Sequence, residues 1–291
     1  MRDSLAVSEE HQPTEPDPLE TILREGADAL GVALDDKQVG QLLAYLANVL
    51  EWNQKINVTA VRSPKEAVVR HLVDSLSLVP VWHALNDAAP PGAVLDLGTG
   101  GGFPGAPLAI AWPDCRALLI DGTGKKIKIV ADSIDVAGIA NAEAFQSRAE
   151  QLHAHREDAI QGFDLCVARA VGPAPRLLHE FRRLVAPGGT ILLMKGAEPT
   201  DEEVEAANVA ARKAELTPLP HQLTGMPGGD RGTVLAFRCD AEPVKRPTRR
   251  RDARRNLRHR NVRHRNGPRG DRPTGDGDRP DRGSGGSSLA R

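Results

Sequence analysis

Residues 92–240 alternate between short apolar runs and longer stretches with helical periodicity, and this alternation restricts the fold more than any other feature of the chain. Five of the apolar runs have the length of strands. They are Ala93–Leu97, Ala117–Ile120, Ala142–Gln146, Phe163–Ala168 and Thr190–Met194. Parallel strands need crossover connections, usually helical, and are covered on both faces. The pattern therefore predicts an α/β fold with a mainly parallel sheet, completed by a hairpin of Leu219–Leu223 and Thr233–Arg238.

The rest of the chain divides into flanking segments. Residues 1–18 are polar and broken by proline, which predicts a disordered leader. Residues 19–80 are predicted to form an N-terminal helical segment, because apolar residues recur there at helical spacing. Residues 81–240 are predicted to form the domain that contains the sheet. Residues 241–291 consist mainly of Arg, Gly, Pro, Asp and Asn without apolar periodicity, which predicts a disordered basic tail.

Charge is distributed unevenly along the chain. Residues 241–291 contain 16 Lys and Arg against 6 Asp and Glu, whereas residues 1–240 contain 22 against 33. A basic extension on an acidic domain suggests a polyanionic partner such as RNA, although a low-complexity extension can also serve solubility alone. The first eighteen residues have no apolar signal-peptide core, and no run reaches the length of a membrane span. We therefore expect a cytoplasmic protein.

The segment Asp96–Gly105 places a glycine-rich loop directly after the first predicted strand. Ligands of doubly wound sheets bind at the carboxyl ends of the strands, so Gly98 and Gly100 are expected to let the backbone approach a cofactor. Counted from Gly98, the first glycine after the strand, the spacing is G-x-G-x-G and not the G-x-G-x-x-G of dinucleotide loops, and Pro104 stands where a phosphate-binding helix would offer amide donors. S-adenosylmethionine has no phosphate but carries sulfonium and ammonium groups, which favour a carboxylate such as Asp96. The loop therefore indicates S-adenosylmethionine.

Asp121 ends the second predicted strand. A carboxylate there can accept hydrogen bonds from both ribose hydroxyls of NAD or of S-adenosylmethionine. A glycine-rich loop alone is weak evidence. Its combination with two strand-end acids and with the turn Pro187-Gly188-Gly189 before the fifth strand favours a methyltransferase. An NAD(P)-dependent oxidoreductase stays open as an alternative.

The residues near the strand ends also limit the methyl acceptor. Transfer to cytosine C5 needs a nucleophilic thiolate, but Cys166 lies inside an apolar run and is expected to be buried. Transfer to adenine N6 commonly uses a polar-Pro-Pro-aromatic turn, whereas the fourth strand ends in Ala168-Arg169-Ala170-Val171. Guanine N7 has a nucleophilic lone pair and no proton to lose, so its methylation needs orientation rather than a base. The sequence shows no evident base, which is compatible with N7 transfer.

Several segments, taken in order, resemble one known family. They are Trp52–Ala60, Arg70–Leu76, Gly98–Gly105, Gly124-Lys125-Lys126, Ser147–Glu150, Arg169-Ala170 and Lys195-Gly196. Together they resemble the small-subunit rRNA guanine-N7 methyltransferases, the RsmG family, also called glucose-inhibited division protein B. The resemblance covers about residues 20–238 and excludes the tail. The chain departs from the family pattern at Ala168 and Gly122, where serine is common among members.

The resemblance implies a class I S-adenosylmethionine-dependent methyltransferase with a Rossmann-like, mostly parallel seven-stranded sheet. It implies methyl transfer to N7 of a guanosine in the 530 loop of 16S rRNA, conventionally numbered 527, with the 30S subunit or its precursor as partner. We expect a monomer. Carried over by motif position, further cofactor contacts are expected from Phe103, Asp121, Gly122, Thr123, Ala149, Glu150 and Arg169. No catalytic base and no metal ligand is assigned.

Several single residues allow two interpretations. Arg169 and Lys195, at the ends of the fourth and fifth strands, are candidates for positioning the substrate. Arg169 can instead pair with a strand-end acid, and Lys195 can be solvated. His71 and Asp74 are expected to hydrogen-bond on one helix face, with an RNA-facing role as the alternative. Asn53 is expected to fix the turn after the helical segment. For the whole chain, a non-catalytic RNA-binding assembly factor is a further alternative.

Overall fold

The computed structural model describes residues 17–196, 198–225 and 231–240. The predicted tail and all but the last two residues of the predicted leader lie outside the described residues. The first helix begins within the predicted leader, at Pro18. Asp17 caps it through a side-chain hydrogen bond to the first turn, and proline suits the first helical position because an N–H there would have no partner.

A helical layer precedes the sheet. Its elements are α1 (Pro18–Ala29), α2 (Asp36–Asn53), α3 (Pro64–Ala67), a π-helical stretch (Val68–Val73), α4 (Asp74–Leu76) and α5 (Leu78–Leu85). The π-helical stretch is wider than an α-helix and so alters the direction of successive side chains, a feature common at functional sites. It carries Arg70 and His71 toward the carboxyl edge of the sheet.

The remaining elements alternate as the sequence predicts. They are β1 (Ala93–Leu97), α6 (Gly105–Ala111), β2 (Arg116–Asp121), α7 (Gly124–Ala137), β3 (Ala142–Gln146), α8 (Ala149–His155), a 3-10 turn (Glu157–Ala159), β4 (Phe163–Arg169), α9 (Ala174–Phe181), β5 (Val185–Lys195), α10 (Asp201–Lys213), β6 (Leu216–Pro218), β7 (Gln222–Gly225) and β8 (Arg231–Cys239). The five predicted strands lie close to their predicted bounds, except that β5 begins earlier and includes the Pro187-Gly188-Gly189 segment.

The strands form one sheet in the order β3-β2-β1-β4-β5-β8-β6, and β7 also pairs with β8. The first five strands are parallel, and β8 runs antiparallel to β5. The predicted hairpin is present as β7 and β8, but its first strand begins at Gln222 and not at Leu219, and β6 pairs separately with another part of β8. Pro218 and Pro220 account for the break, since proline has no N–H to donate to a ladder. The predicted mostly parallel α/β sheet, with seven strands along its main path, is confirmed.

Side chains of successive strand residues pack into two layers, one on each face of the sheet. Val94 belongs to a cluster with α1, α2, α5, α6 and α7, whereas Leu95 belongs to a cluster with α8, α9 and α10. Leu42 and Leu72 of the N-terminal helices are fully buried in the first cluster. These helices therefore cover one face of the sheet and share its core. In the parts of the chain that are described, no helix is long and apolar enough to cross a membrane.

Candidate cofactor-binding site

A cleft of about 470 Å³ opens at the carboxyl ends of β1, β2 and β4. In the sheet, β2 and β3 lie on one side of β1, whereas β4 and β5 lie on its other side, so the strand order reverses at β1. Doubly wound sheets bind ligands at such a switch point. Eight of the predicted cofactor residues line the cleft, namely Gly98, Gly100, Phe103, Asp121, Gly122, Ala149, Glu150 and Arg169. The structure does not bring Asp96, Thr123 or Lys195 to the cleft wall.

The floor of the cleft is the glycine-rich loop between β1 and α6. Gly98, Gly100 and Gly102 have φ values of 70°, 60° and 92°, a left-handed region that residues with a Cβ rarely adopt. Gly98 N and Thr99 N donate hydrogen bonds to Ile120 O at 2.8 and 2.9 Å, which ties the loop to the end of β2. The loop is thus held in one position, and its lack of side chains leaves the backbone open to a ligand.

Asp96 lies behind this loop rather than in the cleft. Its side chain is fully buried, and Oδ2 accepts hydrogen bonds from Thr99 Oγ1 at 2.6 Å and Gly105 N at 2.8 Å. The expected exposed contact with a cationic ligand is therefore corrected, because the carboxylate is used to hold the two ends of the loop together. Oδ1 has no hydrogen-bond partner among the described residues, so one buried acceptor is left beside the loop.

Burial raises the pKa of Asp96 to about 6, against the opposing effect of the Thr99 and Gly105 hydrogen bonds. Between about pH 4 and pH 6 the folded protein holds a proton that the unfolded chain has lost, so this residue makes stability fall as pH rises. Relative to Asp96→Asn, the wild type should gain about 3 kcal/mol of unfolding free energy when pH falls through this window. Urea unfolding of both proteins without cofactor at several pH values measures the difference. A difference that is constant with pH would contradict the raised pKa.

Asp121 ends β2 at the wall of the cleft and is 9% exposed. Its Oδ2 accepts a hydrogen bond from Gly100 N at 3.2 Å, and its Oδ1 accepts one from Thr123 N at 2.8 Å. Lys126 Nζ lies 3.7 Å from Oδ2. The carboxylate therefore joins the glycine-rich loop to the start of α7. Thr123 contributes a backbone N–H to Asp121 from outside the cleft.

The far wall of the cleft is formed by Ser147 and Arg148, which follow β3, and by the first turn of α8. Ala149 is buried there, and Glu150 is exposed in the first turn of α8. Gly122 lies nearby, and a Cβ on it would stand 3.4 Å from Cγ of Arg148, an ordinary contact. The serine that is common in the resembling family would fit at this position without a shift. The wall combines an apolar surface with a polar edge, as an adenine base requires.

Arg169 ends β4, and its guanidinium is directed toward the N-terminal helices. Nη1 donates hydrogen bonds to Asp74 Oδ2 at 3.0 Å and to Arg70 O at 2.9 Å, and Nη2 lies 3.5 Å from His71 Nδ1. His71 and Asp74 are thus joined through Arg169 instead of by the predicted direct hydrogen bond. Arg169 does pair with an acid, but the partner is Asp74 of the N-terminal helices and not the strand-end acid of the alternative interpretation, and the side chain also lines the cleft. Lys195, two strand positions from β1, stays outside it.

Tyr45 and His71 contact the glycine-rich loop from the N-terminal helices, and the sequence analysis did not predict these contacts. Tyr45 of α2 donates from Oη to Gly101 O at 3.0 Å and meets Phe103 edge-on, with centroids 5.7 Å apart. His71 stacks on the same ring at 4.7 Å, and its Nε2 lies 2.8 Å from Thr59 Oγ1. Thr59 and His71 belong to segments that carry the family resemblance, whereas Tyr45, the only tyrosine of the chain, gave no signal.

The turn after α2 is fixed by Asn53, as predicted. Its Oδ1 accepts hydrogen bonds from Val58 N at 2.8 Å and Thr59 N at 3.0 Å. Asn57 Oδ1 accepts a further, longer hydrogen bond from Arg62 at 3.4 Å. These contacts hold Val58 and Thr59 at the mouth of the cleft, where both residues line it.

The residues of the cleft fit S-adenosylmethionine. An open glycine backbone and the carboxylates of Asp121 and Glu150 suit a ligand with hydroxyl groups, amino groups and positive charge. A pyrophosphate would fit poorly, because the N–H of Gly105 at the start of α6 already donates to Asp96. The chemistry of the site therefore favours the cofactor without phosphate.

Comparison with known proteins agrees with this geometry. The family model "GidB: rRNA small subunit methyltransferase G" matches residues 38–224. The chain belongs to this family. It is 38% identical over 190 residues to "Ribosomal RNA small subunit methyltransferase G" of Alteromonas mediterranea, covering 65% of this chain and 84% of the relative. It is 41% identical over 198 residues to the protein of the same name in Burkholderia mallei, covering 68% and 84%. The resemblance stated from the motifs is confirmed.

A solved structure shares the fold. The O-methyltransferase from Bacillus cereus, in complex with SAH, superposes with a TM-score of 0.50 at 18% identity and covers 76% of this chain and 99% of that one. At this identity the similarity concerns the fold, which is that of class I methyltransferases. Family and fold agree with the glycine-rich loop, and the cofactor of this methyltransferase family is S-adenosylmethionine.

Proposed function

We propose that this protein transfers a methyl group from S-adenosylmethionine to N7 of a guanosine in the 530 loop of 16S rRNA, conventionally numbered 527. The 30S subunit or its precursor is the substrate. The observation that carries the proposal is the family match over residues 38–224, which includes every predicted residue of the cleft. The atom and the nucleotide follow from the resemblance of the motifs to guanine-N7 methyltransferases.

N7 of guanine suits a site that has to orient its ligands and has no proton to remove. When bound, S-adenosylmethionine supplies an electrophilic methyl carbon whose bonding electron pair stays on sulfur, while guanine N7 provides the lone pair for the new bond. No proton leaves the base, and the positive charge passes from the sulfonium to the purine. The protein contributes by fixing the loop, positioning the acceptor base and excluding water.

The ionisable groups of the site agree with this chemistry. Burial lowers the pKa of His71 to about 4, so the imidazole is neutral near pH 7, and its ring is occupied by contacts with Thr59 and Phe103. Cys166 is fully buried in β4, and burial raises the pKa of its thiol well above the usual range. A buried neutral thiol is a poor nucleophile, which argues against transfer to a pyrimidine carbon.

The mouth of the cleft suits a polyanionic substrate. Among the basic residues that line it, Lys126, Arg169 and Arg176 lie beside the carboxylates of Asp121, Asp74 and Glu180, whereas Arg148 has no ion pair with any described residue. Arg62 and Lys65 are exposed on the segment that follows Val58 and Thr59. Cations around a cleft bind phosphates of any sequence and position the nucleic acid, while contacts inside the cleft select the base.

The proposal is tested by methyl transfer from labelled S-adenosylmethionine to 30S subunits that lack the modification. Borohydride–aniline cleavage then maps the product, because N7-methylguanosine is cationic and breaks at the modified nucleotide. We expect one cleavage, in the 530 loop. Subunits that already carry the methyl group are the matched control and should incorporate no label there.

Other outcomes would separate the parts of the proposal. Incorporation at another nucleotide would keep the methyltransferase activity and remove the assigned position. Binding of S-adenosylmethionine by calorimetry without any incorporation would favour the non-catalytic assembly factor. Both results are distinct from a misfolded preparation, which would bind no cofactor.

A further inference from the structure

The cleft extends beyond the residues expected to hold the adenosine part of the cofactor. Asp121 ends β2 and Ala149 follows β3 on one side of β1, whereas Arg169 ends β4 on the other side. Neighbouring strands are about 4.8 Å apart, so β2 and β4 are on the order of 10 Å from each other. The β4 side of the cleft is lined by Val58, Thr59, His71, Phe103, Arg169 and Ala170. Most of these residues have no role in the predicted cofactor contacts.

The guanidinium of Arg169 is fixed at this side by the N-terminal helices. Both hydrogens of Nη1 are engaged, by Asp74 Oδ2 and by Arg70 O, and Cζ lies 5.7 Å from the centroid of the Phe103 ring. The side chains of Asp74 and Arg169 are 22% and 21% exposed, so water screens this ion pair less than a surface pair. Nη2 has one long contact, 3.5 Å to His71, so its donor capacity is not exhausted.

A fixed guanidinium beside a purine can distinguish guanine from adenine. Guanine carries the acceptor O6 next to N7, whereas adenine carries an amino donor at the same place. A protein donor that points at O6 therefore orients guanine by the edge that must meet the methyl group. With adenine, the same protein donor would face the amino donor of the base, which disfavours binding. Such an orientation is what transfer to N7 requires.

We propose that the β4 side of the cleft is the binding site of the acceptor base, in which Arg169 donates a hydrogen bond to guanine O6 and Asp74 positions Arg169. This inference rests on the proposed function and adds the recognition of the base to it. Thr59 and His71 form the adjoining wall, and Phe103 links that wall to the glycine-rich loop.

Asp74 also balances charge at this site. The transfer leaves the purine with a positive charge, which an uncompensated guanidinium would repel. Asp74 Oδ2, 3.0 Å from Nη1, offsets that repulsion. Burial raises the pKa of Asp74, and the charge and hydrogen bond of Arg169 oppose the rise, so Arg169 favours the ionised form of Asp74. Asp74 is therefore a positioning residue that acts through Arg169.

The test changes the acceptor and the arginine together. The 30S subunits are assembled with 16S rRNA that carries guanosine, inosine or 2-aminopurine riboside at the target nucleotide, of which only 2-aminopurine lacks O6. With guanosine and inosine, Arg169→Met should lower kcat/KM by about 30-fold. With 2-aminopurine the wild type has already lost the contact, so the variant should differ from it by less than about threefold. An equal loss on all three acceptors would overturn the contact with O6.

Asp74 is tested by its own variants. Asp74→Ala should lower kcat/KM for guanosine by about tenfold while the calorimetric affinity for S-adenosylmethionine stays within about twofold. Asp74→Asn keeps an oxygen that can accept from Nη1, so its kcat/KM should fall by less than that of Asp74→Ala. It also provides a second variant if Asp74→Ala does not fold. Glu66→Ala is the matched control, because this exposed carboxylate lies on the same helical run and pairs with the Arg70 side chain.

The outcomes separate this inference from the function beneath it. Cofactor affinity that falls as far as kcat/KM in Asp74→Ala would make the residue a support of the cofactor site and overturn its role toward the acceptor. An equal loss in Glu66→Ala would assign the effect to general charge and would also overturn it. No transfer by the wild type to guanosine would remove the proposed function itself, and this inference with it.

Discussion

Gly102→Ala is expected to lower the unfolding free energy by about 3 kcal/mol or more and to weaken S-adenosylmethionine binding at least about tenfold. Gly102 has φ of 92°, which a residue with a Cβ adopts only with strain. A Cβ there would also stand 2.7 Å from Cζ of Tyr45 and closer still to its Oη. Tyr45 Oη donates a hydrogen bond to Gly101 O, so a collision with Tyr45 would break this bond and displace the loop that forms the floor of the cleft. Urea unfolding and calorimetry measure the two effects.

A matched control separates backbone strain from collision. Gly138, at the end of α7, has φ of 63°, and a Cβ added to it would meet no atom within 4 Å. Gly138→Ala should therefore cost about 1 kcal/mol, the conformational part alone, and leave cofactor affinity unchanged. Tyr45→Phe combined with Gly102→Ala removes the closest contact and should recover part of the loss. Equal costs in the two glycine variants would contradict the collision with Tyr45.

The sheet and the loop were predictable because their signals are local. Apolar runs of strand length, the helical stretches between them and the glycine spacing at Gly98–Gly105 each lie within a few neighbouring residues, and family motifs fixed their order. The strand ends are therefore placed correctly, and with them Asp121, Ala149 and Arg169. The first strand of the final hairpin begins later than predicted, because an apolar pattern does not show which residues can donate an N–H to a neighbouring strand, and Pro218 and Pro220 cannot.

The parts that could not be predicted depend on contacts between distant residues. Tyr45 and Gly101 are 56 positions apart, and Asp74 and Arg169 are 95 apart. No spacing rule connects such residues, because their contact follows from how the N-terminal helices pack on the sheet. The direction of Asp96 was missed for a related reason. A strand-end acid can face the ligand or the loop, and the choice depends on where Thr99 and Gly105 place their donors.

Asp121→Ala is expected to weaken S-adenosylmethionine binding more than about tenfold, which corresponds to more than about 1.4 kcal/mol. The carboxylate at the end of β2 is expected to accept hydrogen bonds from the ribose hydroxyls, and it already accepts hydrogen bonds from Gly100 N and Thr123 N. Its removal therefore takes away an acceptor for the ligand and loosens the loop. Isothermal calorimetry measures the affinity, and Asp135→Ala, an exposed acid on α7, controls for the change in net charge. An affinity unchanged by Asp121→Ala would remove the assignment to the ribose.

Asp121→Asn separates the two contributions of the carboxylate. The amide keeps one oxygen, so it can still accept from either Gly100 N or Thr123 N, but it cannot accept from both and from two hydroxyls at once. If the main role of Asp121 is to hold the loop, Asp121→Asn should lose only part of the affinity that the alanine variant loses, and equally so with a 2′-deoxy analogue of the cofactor. If its main role is toward the ribose, the asparagine variant should lose most of what the alanine variant loses, and a 2′-deoxy analogue of the cofactor should narrow the difference between variant and wild type. The placement of Asp121 on the cleft wall, with 9% of the residue exposed, favours the second result.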